Sequence, residues 1–252
     1  MIDFDAFEAL TFDCYGTLID WESGILQALE SLLDSHSDDL DQSRLLVQFA
    51  KFEAAAEAGL FRSYRAVLGE VARMFGKAYS VKVDEEASAE FAASVRNWPP
   101  FTDSVEVLAS LSARYRLAIV SNVDDDLFSA SAAQLGVSFD EVVTAQQVGS
   151  YKPNRAHFDE VIRRLDLPRD KVLHCAQSLY HDVGPASALG FQCVWVNRRA
   201  GKIGTGATPS AEVEPDRGSV ARAARSAEAG LTWQRRLRSS PRPSGMFCCG
   251  CW

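Results

Sequence analysis

Leu10-Thr11-Phe12-Asp13-Cys14-Tyr15-Gly16-Thr17-Leu18 is the stretch that decides the fold. The mainly apolar run Phe7 to Phe12 stops at an acid followed by a Gly-Thr turn, the pattern of a buried strand that carries a carboxylate at its C-terminal edge. In an open α/β sheet, that edge is where ligands bind. Asp is also common in turns for purely structural reasons, so Asp13 acquires functional meaning only through partners further along the chain.

Directly downstream the pattern is helical. Trp21 to His36 places Ile25, Leu26, Leu29, Leu32 and Leu33 on one side, and Ser43 to Ala58, Tyr64 to Phe75 and Asp84 to Asn97 follow without a convincing strand. Trp98-Pro99-Pro100 then breaks the helical run. Beyond it strands and helices alternate. Strands are expected at Arg116 to Val120, Phe139 to Thr144, Val172 to Ala176 and Gln192 to Val196. Helices are expected at Ser104 to Ala113, Asp126 to Leu135, Asn154 to Leu165 and Asp182 to Leu189. Strands separated by helices of this length predict an α/β fold with a doubly wound, parallel, Rossmann-like sheet. The expected organisation is an α/β core over residues 1–20 and 98–215, an inserted all-helical cap over 21–97, and an atypical basic tail over 216–252.

Composition narrows the class. The 252 residues are 47% hydrophobic and 24% charged, ordinary for a soluble globular chain. Neither a signal segment nor an apolar run near ~18 residues is present, so a cytoplasmic location is expected and a membrane partner is not. The six cysteines lack zinc-ligand spacing with histidines, and reduced thiols are expected. From Arg217 to Trp252 there are seven Arg, no Lys and one acid, so this tail carries +6 and the remainder −14 of the overall −8. An acidic body argues against nucleic acid as a partner. The tail loses apolar periodicity, is expected to stand outside the packed fold or be disordered, and reads as a shifted frame of a gene whose product would close with another strand and helix.

Four strand ends carry polar residues able to converge: Asp13, Ser121 with Asn122, Lys152, and Asp182. A nucleophilic Asp, a hydrogen-bonding Ser, a Lys and a second acid in that order resemble the four motifs of the haloacid dehalogenase superfamily, over residues 9 to 200. Phosphatases of that superfamily carry D-x-D-G-T, whose second acid protonates a leaving alkoxide. Tyr15 stands there in this chain, and a phenol with a pKa of about 10 is a poor proton donor near neutrality. The fourth motif, Ala176-Gln177-Ser178-Leu179-Tyr180-His181-Asp182, replaces one Mg²⁺-binding carboxylate with an amide. A halide leaves without a proton and an alkyl carbon needs no metal to accept a carboxylate. D-x-Y-G-T resembles the first motif of the type II (S)-2-haloacid dehalogenases.

The resemblance implies a hydrolase, free of cofactor and metal, that converts small 2-haloalkanoic acids to 2-hydroxy acids through an aspartyl ester. Asp13 would be the nucleophile, Lys152 its counter-charge, Thr17 its orienting partner, and Asp182 the anchor of Lys152 and activator of water. Ser121, the Asn122 main chain, Tyr15 and Ser178 would bind substrate. Arg62 or Arg65 would replace the cap arginine of the family, because Gln48 stands near that position, while Phe158 and Leu179 depart from the family's Tyr and Asn. His157 and His36 are expected on helix surfaces, and His174 and His181 are minor candidates. The partner would be a small carboxylic acid, with a homodimer compatible. Two alternatives stay open: a Mg²⁺-dependent phosphatase acting on a small phosphomonoester, with the ion on Asp13, the Tyr15 carbonyl and Asp182, and a catalytically idle protein that keeps the fold.

Overall fold

The computed structural model describes residues 2–33 and 41–198. The expected loop from Gly201, the basic tail, His36 and the three C-terminal cysteines lie outside the described residues. Five parallel strands form one sheet in the order β3-β2-β1-β4-β5, namely β1 (Ala9–Phe12), β2 (Arg116–Ser121), β3 (Glu141–Thr144), β4 (Val172–Ala176) and β5 (Gln192–Trp195). The chain winds outward from β1 to β3 and then returns to the other side of β1, so the topological switch lies between β1 and β4. Ligands bind outside the carboxyl ends of the strands at such a point.

Side chains alternate across the sheet, and the two faces form separate cores. Leu10, Phe12, Leu117, Ile119, Leu173 and Val194 pack with Leu108 and Leu111 of α5 (Ser104–Ser112) and Leu127, Phe128 and Leu135 of α6 (Asp125–Leu135). Ala9, Ala118, Val120, Val143 and Val172 face Phe158, Val161 and Leu165 of α8 (Ala156–Leu165) and Ala186 of α9 (Gly184–Ala188). Helices on both faces of an all-parallel sheet explain why the central strands β1 and β4 are buried throughout and β2 all but its first residue.

Between β1 and β2 the chain forms four helices: α1 (Trp21–Leu33), α2 (Gln42–Glu57), α3 (Tyr64–Tyr79) and α4 (Glu85–Ala93). Their apolar stripes, including Ile25 and Leu29, Leu45 and Phe49, and Val71 and Phe75, meet one another. The insertion leaves and returns through one neck. There Ile19 pairs antiparallel with Pro100, Asp20 N donates to Pro99 O at 2.8 Å, and Phe101 N donates to Leu18 O at 3.0 Å. Gly24 permits a close approach, since a Cβ there would fall 2.3 Å from the Trp98 indole.

Several boundaries differ from expectation. The first insertion helix is described only to Leu33, and α3 runs on to Tyr79, where Ser80 in the left-handed conformation ends it. The expected helix Asp84 to Asn97 divides into α4 and a 3₁₀ turn over Ser94–Asn97. A short helix, α7 (Ala145–Val148), follows β3 directly, and the expected helix from Asp182 begins as a π turn over Leu179–Val183. His157 is not on a surface: it is fully buried on the sheet-facing side of α8. Among the described residues, no helix is long and apolar enough to cross a membrane, and Cys14, Cys175 and Cys193 are buried and free.

Candidate active site

Asp13 follows β1 where the strand ends, and the turn behind it is tightly tied. Cys14 O accepts the backbone N–H groups of Thr17, Leu18 and Ile19. Gly16 sits at φ +93°, where an L side chain would be strained and would press on Trp21. Thr17 Oγ1 accepts the Gln177 N–H at 2.9 Å, which aims its own hydrogen at Asp13 Oδ2, 2.7 Å away. This one hydroxyl joins the first and fourth motifs.

Lys152 reaches the same place from the loop after α7. Its ammonium donates to Asp13 Oδ1 at 2.8 Å, Asp182 Oδ1 at 2.6 Å and Val120 O at 2.8 Å, so all three hydrogens are engaged. Asn122 braces that loop: its Oδ1 accepts the Lys152 N–H at 2.7 Å and its Nδ2 donates to Lys152 O at 3.2 Å. His174, on β4 beside Thr11 of β1, contacts Thr11 Oγ1 through Nδ1 at 2.9 Å and Asp182 Oδ1 through Nε2 at 3.2 Å. An imidazole protonated at Nε2 satisfies both contacts.

Electrostatics separates the two acids. Burial pushes the Asp13 carboxyl above its ordinary range, against the pull of Lys152. Burial acts on Asp182 in the same sense, but Lys152 and His174 outweigh it and hold that carboxyl at about 2. Burial would lower Lys152, yet the two carboxylates raise it, so it stays an ammonium. Burial brings His157 down to about 3 and His181 to about 4, leaving both neutral near pH 7.

The pocket over this triad encloses about 90 Å³. Asp13, Lys152, Asp182, Ser121, Asn122, Tyr15 and Ser178 all line it, so seven of the ten expected site residues converge there, and Thr17 supports them from behind. The Ser121 hydroxyl is buried without a partner among the described residues and is free to meet a ligand. Tyr15 lies edge-on to Trp98 and spends its hydroxyl on Ser131 Oγ at 3.0 Å. Ser178 turns to His181, whose backbone N–H donates to its Oγ at 3.0 Å.

The two expected arginines are elsewhere. Arg62 is exposed and donates to Ala56 O at 2.6 Å; Arg65 pairs with Asp126 on the outside of α6. Neither lines the pocket; the main chain at the start of α3 is pinned to the core by Asp124, which accepts the N–H groups of Tyr64 and Arg65 at 2.9 Å each. Gln48 is also outside, accepting from the Tyr79 hydroxyl. The insertion instead contributes Glu53, Glu57 and Tyr64, which sequence reasoning missed; the signal for the two glutamates was an acid pair four residues apart, flanking three alanines at the end of α2. Trp21, Trp98, Gln177 and His181 complete the lining. Arg198 is a further supporting residue, donating to Thr17 O at 3.0 Å while paired with Asp103.

A buried carboxylate, Asp13, thus meets a buried lysine, Lys152, at the switch point of a doubly wound parallel sheet. Residues 7–189 match the family model described as haloacid dehalogenase-like hydrolase, and the chain belongs to that family. It is similar to (S)-2-haloacid dehalogenase H-109 of Pseudomonas putida, 26% identical over 210 residues that cover 82% of this chain and 93% of the relative. It is also similar to the (S)-2-haloacid dehalogenase of Xanthobacter autotrophicus, 28% identical over 193 residues, covering 76% of this chain and 75% of that one. The solved structure of L-2-haloacid dehalogenase from Xanthobacter autotrophicus shares the fold with a TM-score of 0.67 at 24% identity, covering 76% of this chain and 78% of that one.

Proposed function

We propose that this chain hydrolyses the carbon–halogen bond of a small 2-halo carboxylic acid, giving the 2-hydroxy acid. A carboxylate oxygen of Asp13 attacks C2, the carbon–halogen bond breaks, and halide departs with the bonding pair. The resulting aspartyl ester is attacked by water at Cγ of Asp13. Cleavage of the acyl C–O bond regenerates the carboxylate and releases the hydroxy acid with one former Asp13 oxygen. One water proton passes to Asp182, whose Oδ2 is buried and without a partner among the described residues, and from there to the departing alkoxide oxygen of the hydroxy acid; the second leaves to solvent as the Asp13 carboxylate re-forms. Ser121 Oγ and the main chain at Asn122 receive the substrate carboxylate. Three buried free thiols support a cytoplasmic setting.

The observation that carries this reading is the Asp13–Lys152 pair set beside a tyrosine already engaged with Ser131. Nucleophile and counter-charge are in place, and the acid that phosphatases of this superfamily use to protonate an alkoxide is not. Mg²⁺ does not fit the residues present. Among the described residues, Asp13 and Asp182 are the carboxylates hydrogen-bonded to Lys152, and its ammonium bridges one oxygen of each, holding a positive charge where the cation would sit.

The test is halide release from 2-chloropropionate, assayed beside phosphate release from a generic phosphomonoester with and without Mg²⁺. Halide release alone is expected, and Mg²⁺-dependent phosphate release alone would overturn the reading. In a single turnover with enzyme in excess in oxygen-18 water, the label is expected in the Asp13 carboxyl. Asp13→Asn, folded as judged by its melting curve, is expected to release no halide.

A further inference from the structure

The wall of the pocket contributed by the insertion has the wrong charge for a simple anionic substrate. Glu53 and Glu57 lie one helical turn apart on α2 and both line the pocket, with Tyr64 donating to Glu53 Oε1 at 2.6 Å. Among the described residues neither glutamate forms an ion pair. Lys152 is the sole lysine or arginine lining the pocket, and its hydrogens are already spent. On the core side of the same pocket, Ser121 Oγ and Asp182 Oδ2 belong to residues only 1% exposed and have no partner there. These are acceptors and a hydroxyl waiting for a ligand, not a self-satisfied network.

We propose that Glu53 and Glu57 select a substrate that carries an ammonium group on the side facing α2, so that the preferred substrate is an amino-substituted 2-halo acid. This rests on the dehalogenase reading for the halogen, but the recognition of the ammonium does not depend on it. The substrate carboxylate lies towards Ser121 and the reacting carbon towards Asp13, which leaves the remainder of the chain directed at the two glutamates. An alkyl group there would leave Glu57 and the second oxygen of Glu53 facing apolar surface, since Tyr64 serves only Glu53 Oε1, whereas an ammonium supplies three donors and a compensating charge. Burial has already raised Glu53 to about 7 and Glu57 to about 9, the state of carboxyls without a cation.

Calorimetric titration of the unreactive acids propionate and β-alanine into the wild-type chain reads recognition without turnover. β-Alanine is expected to bind at least ~10-fold more tightly, and the Glu53→Gln/Glu57→Gln double variant is expected to bring the two acids within about twofold. Equal affinities, tighter propionate, no measurable β-alanine binding, or an advantage that survives the double variant would each overturn the proposal. If the double variant fails to fold, the wild-type comparison and Glu57→Gln alone decide it. Halide release from 2-chloropropionate and 3-amino-2-chloropropionate is measured separately. No halide from either, with the β-alanine advantage intact, removes the dehalogenase reading and leaves ammonium recognition standing; halide release without that advantage does the reverse.

Discussion

Lys152 is the residue on which the charges of the site depend. Its buried ammonium separates two buried carboxylates, and removing one partner of such a group typically costs about 3–5 kcal/mol because the remaining charges are left uncompensated. Lys152→Met is therefore expected to lower the unfolding free energy by roughly that amount in denaturant titrations. It also removes the group that opposes the burial-raised pKa of Asp13, so the acidic limb of any residual pH–rate profile is expected to move to higher pH. A profile that keeps its position would show that Lys152 does not govern the ionisation of Asp13. Glu57 provides a second prediction of the opposite kind. Its folded pKa, about 9, exceeds its ordinary value of 4.5, so it favours the fold below 4.5 and that contribution is lost as pH rises through 9. Glu57→Gln is expected to raise the melting temperature at pH 9 relative to wild type and to give no gain at pH 4.5.

Among the elements, the start of α3 is where insertion and core are held together. Ser63 caps the helix from its own chain, while Asp124, on the loop after β2, accepts two further N–H groups. Asp124→Ala should leave those donors buried and unpaired at a cost of about 1–2 kcal/mol, comparable to losing a strong helix cap. Amide exchange at Tyr64 and Arg65 is expected to accelerate; unchanged exchange would mean the contact does not hold α3. This link also marks where sequence reading failed. Arg62 and Arg65 were plausible as anion ligands because cationic residues near a cap position are the available candidates in a linear text. The main chain that carries Arg65 is fixed by a buried aspartate some 60 residues away in the chain, a constraint that no local pattern carries, and Arg62 turns back to Ala56 O. Glu53 and Glu57 were overlooked for the complementary reason: acids on a helix normally read as a solvated face, and only the tertiary placement of α2 turns them inward. By contrast, Asp13, Ser121, Lys152 and Asp182 were legible because each directly follows, ends or lies shortly beyond an apolar strand. A parallel sheet brings such positions to one edge whatever the loops do.

For the molecule as a whole, the same burial that shapes the site sets its response to acid. His157 and His181 have folded pKa values of about 3 and about 4, below the ordinary 6.5, so the unfolded chain takes up their protons first. Stability supplied by these groups is complete above 6.5 and is lost as pH falls towards 4 and 3. Asp182 adds to the loss between its ordinary 3.8 and about 2. Glu53 and Glu57, whose folded pKa values are raised, act in the opposite sense between pH 7 and 4.5, so the histidine contribution is read by difference: His157→Gln, which needs no proton on unfolding, is expected to gain melting temperature relative to wild type as pH falls from 7 to 4. The doubly wound architecture was readable from alternation alone, since strand period and helix period differ. Helix ends, the short α7 and the π turn were not, because they depend on which backbone groups find partners after folding.

The paired entrance and exit at Ile19 and Pro100 has a practical corollary. The four-helix insertion is joined covalently to the α/β core at a single seam, two chain crossings side by side. A cassette cut at that seam and exchanged with one from a relative would import a different taste in substrates while inheriting the same reactive machinery. Such an exchange keeps its footing on the core only if the imported segment still presents backbone N–H groups to Asp124.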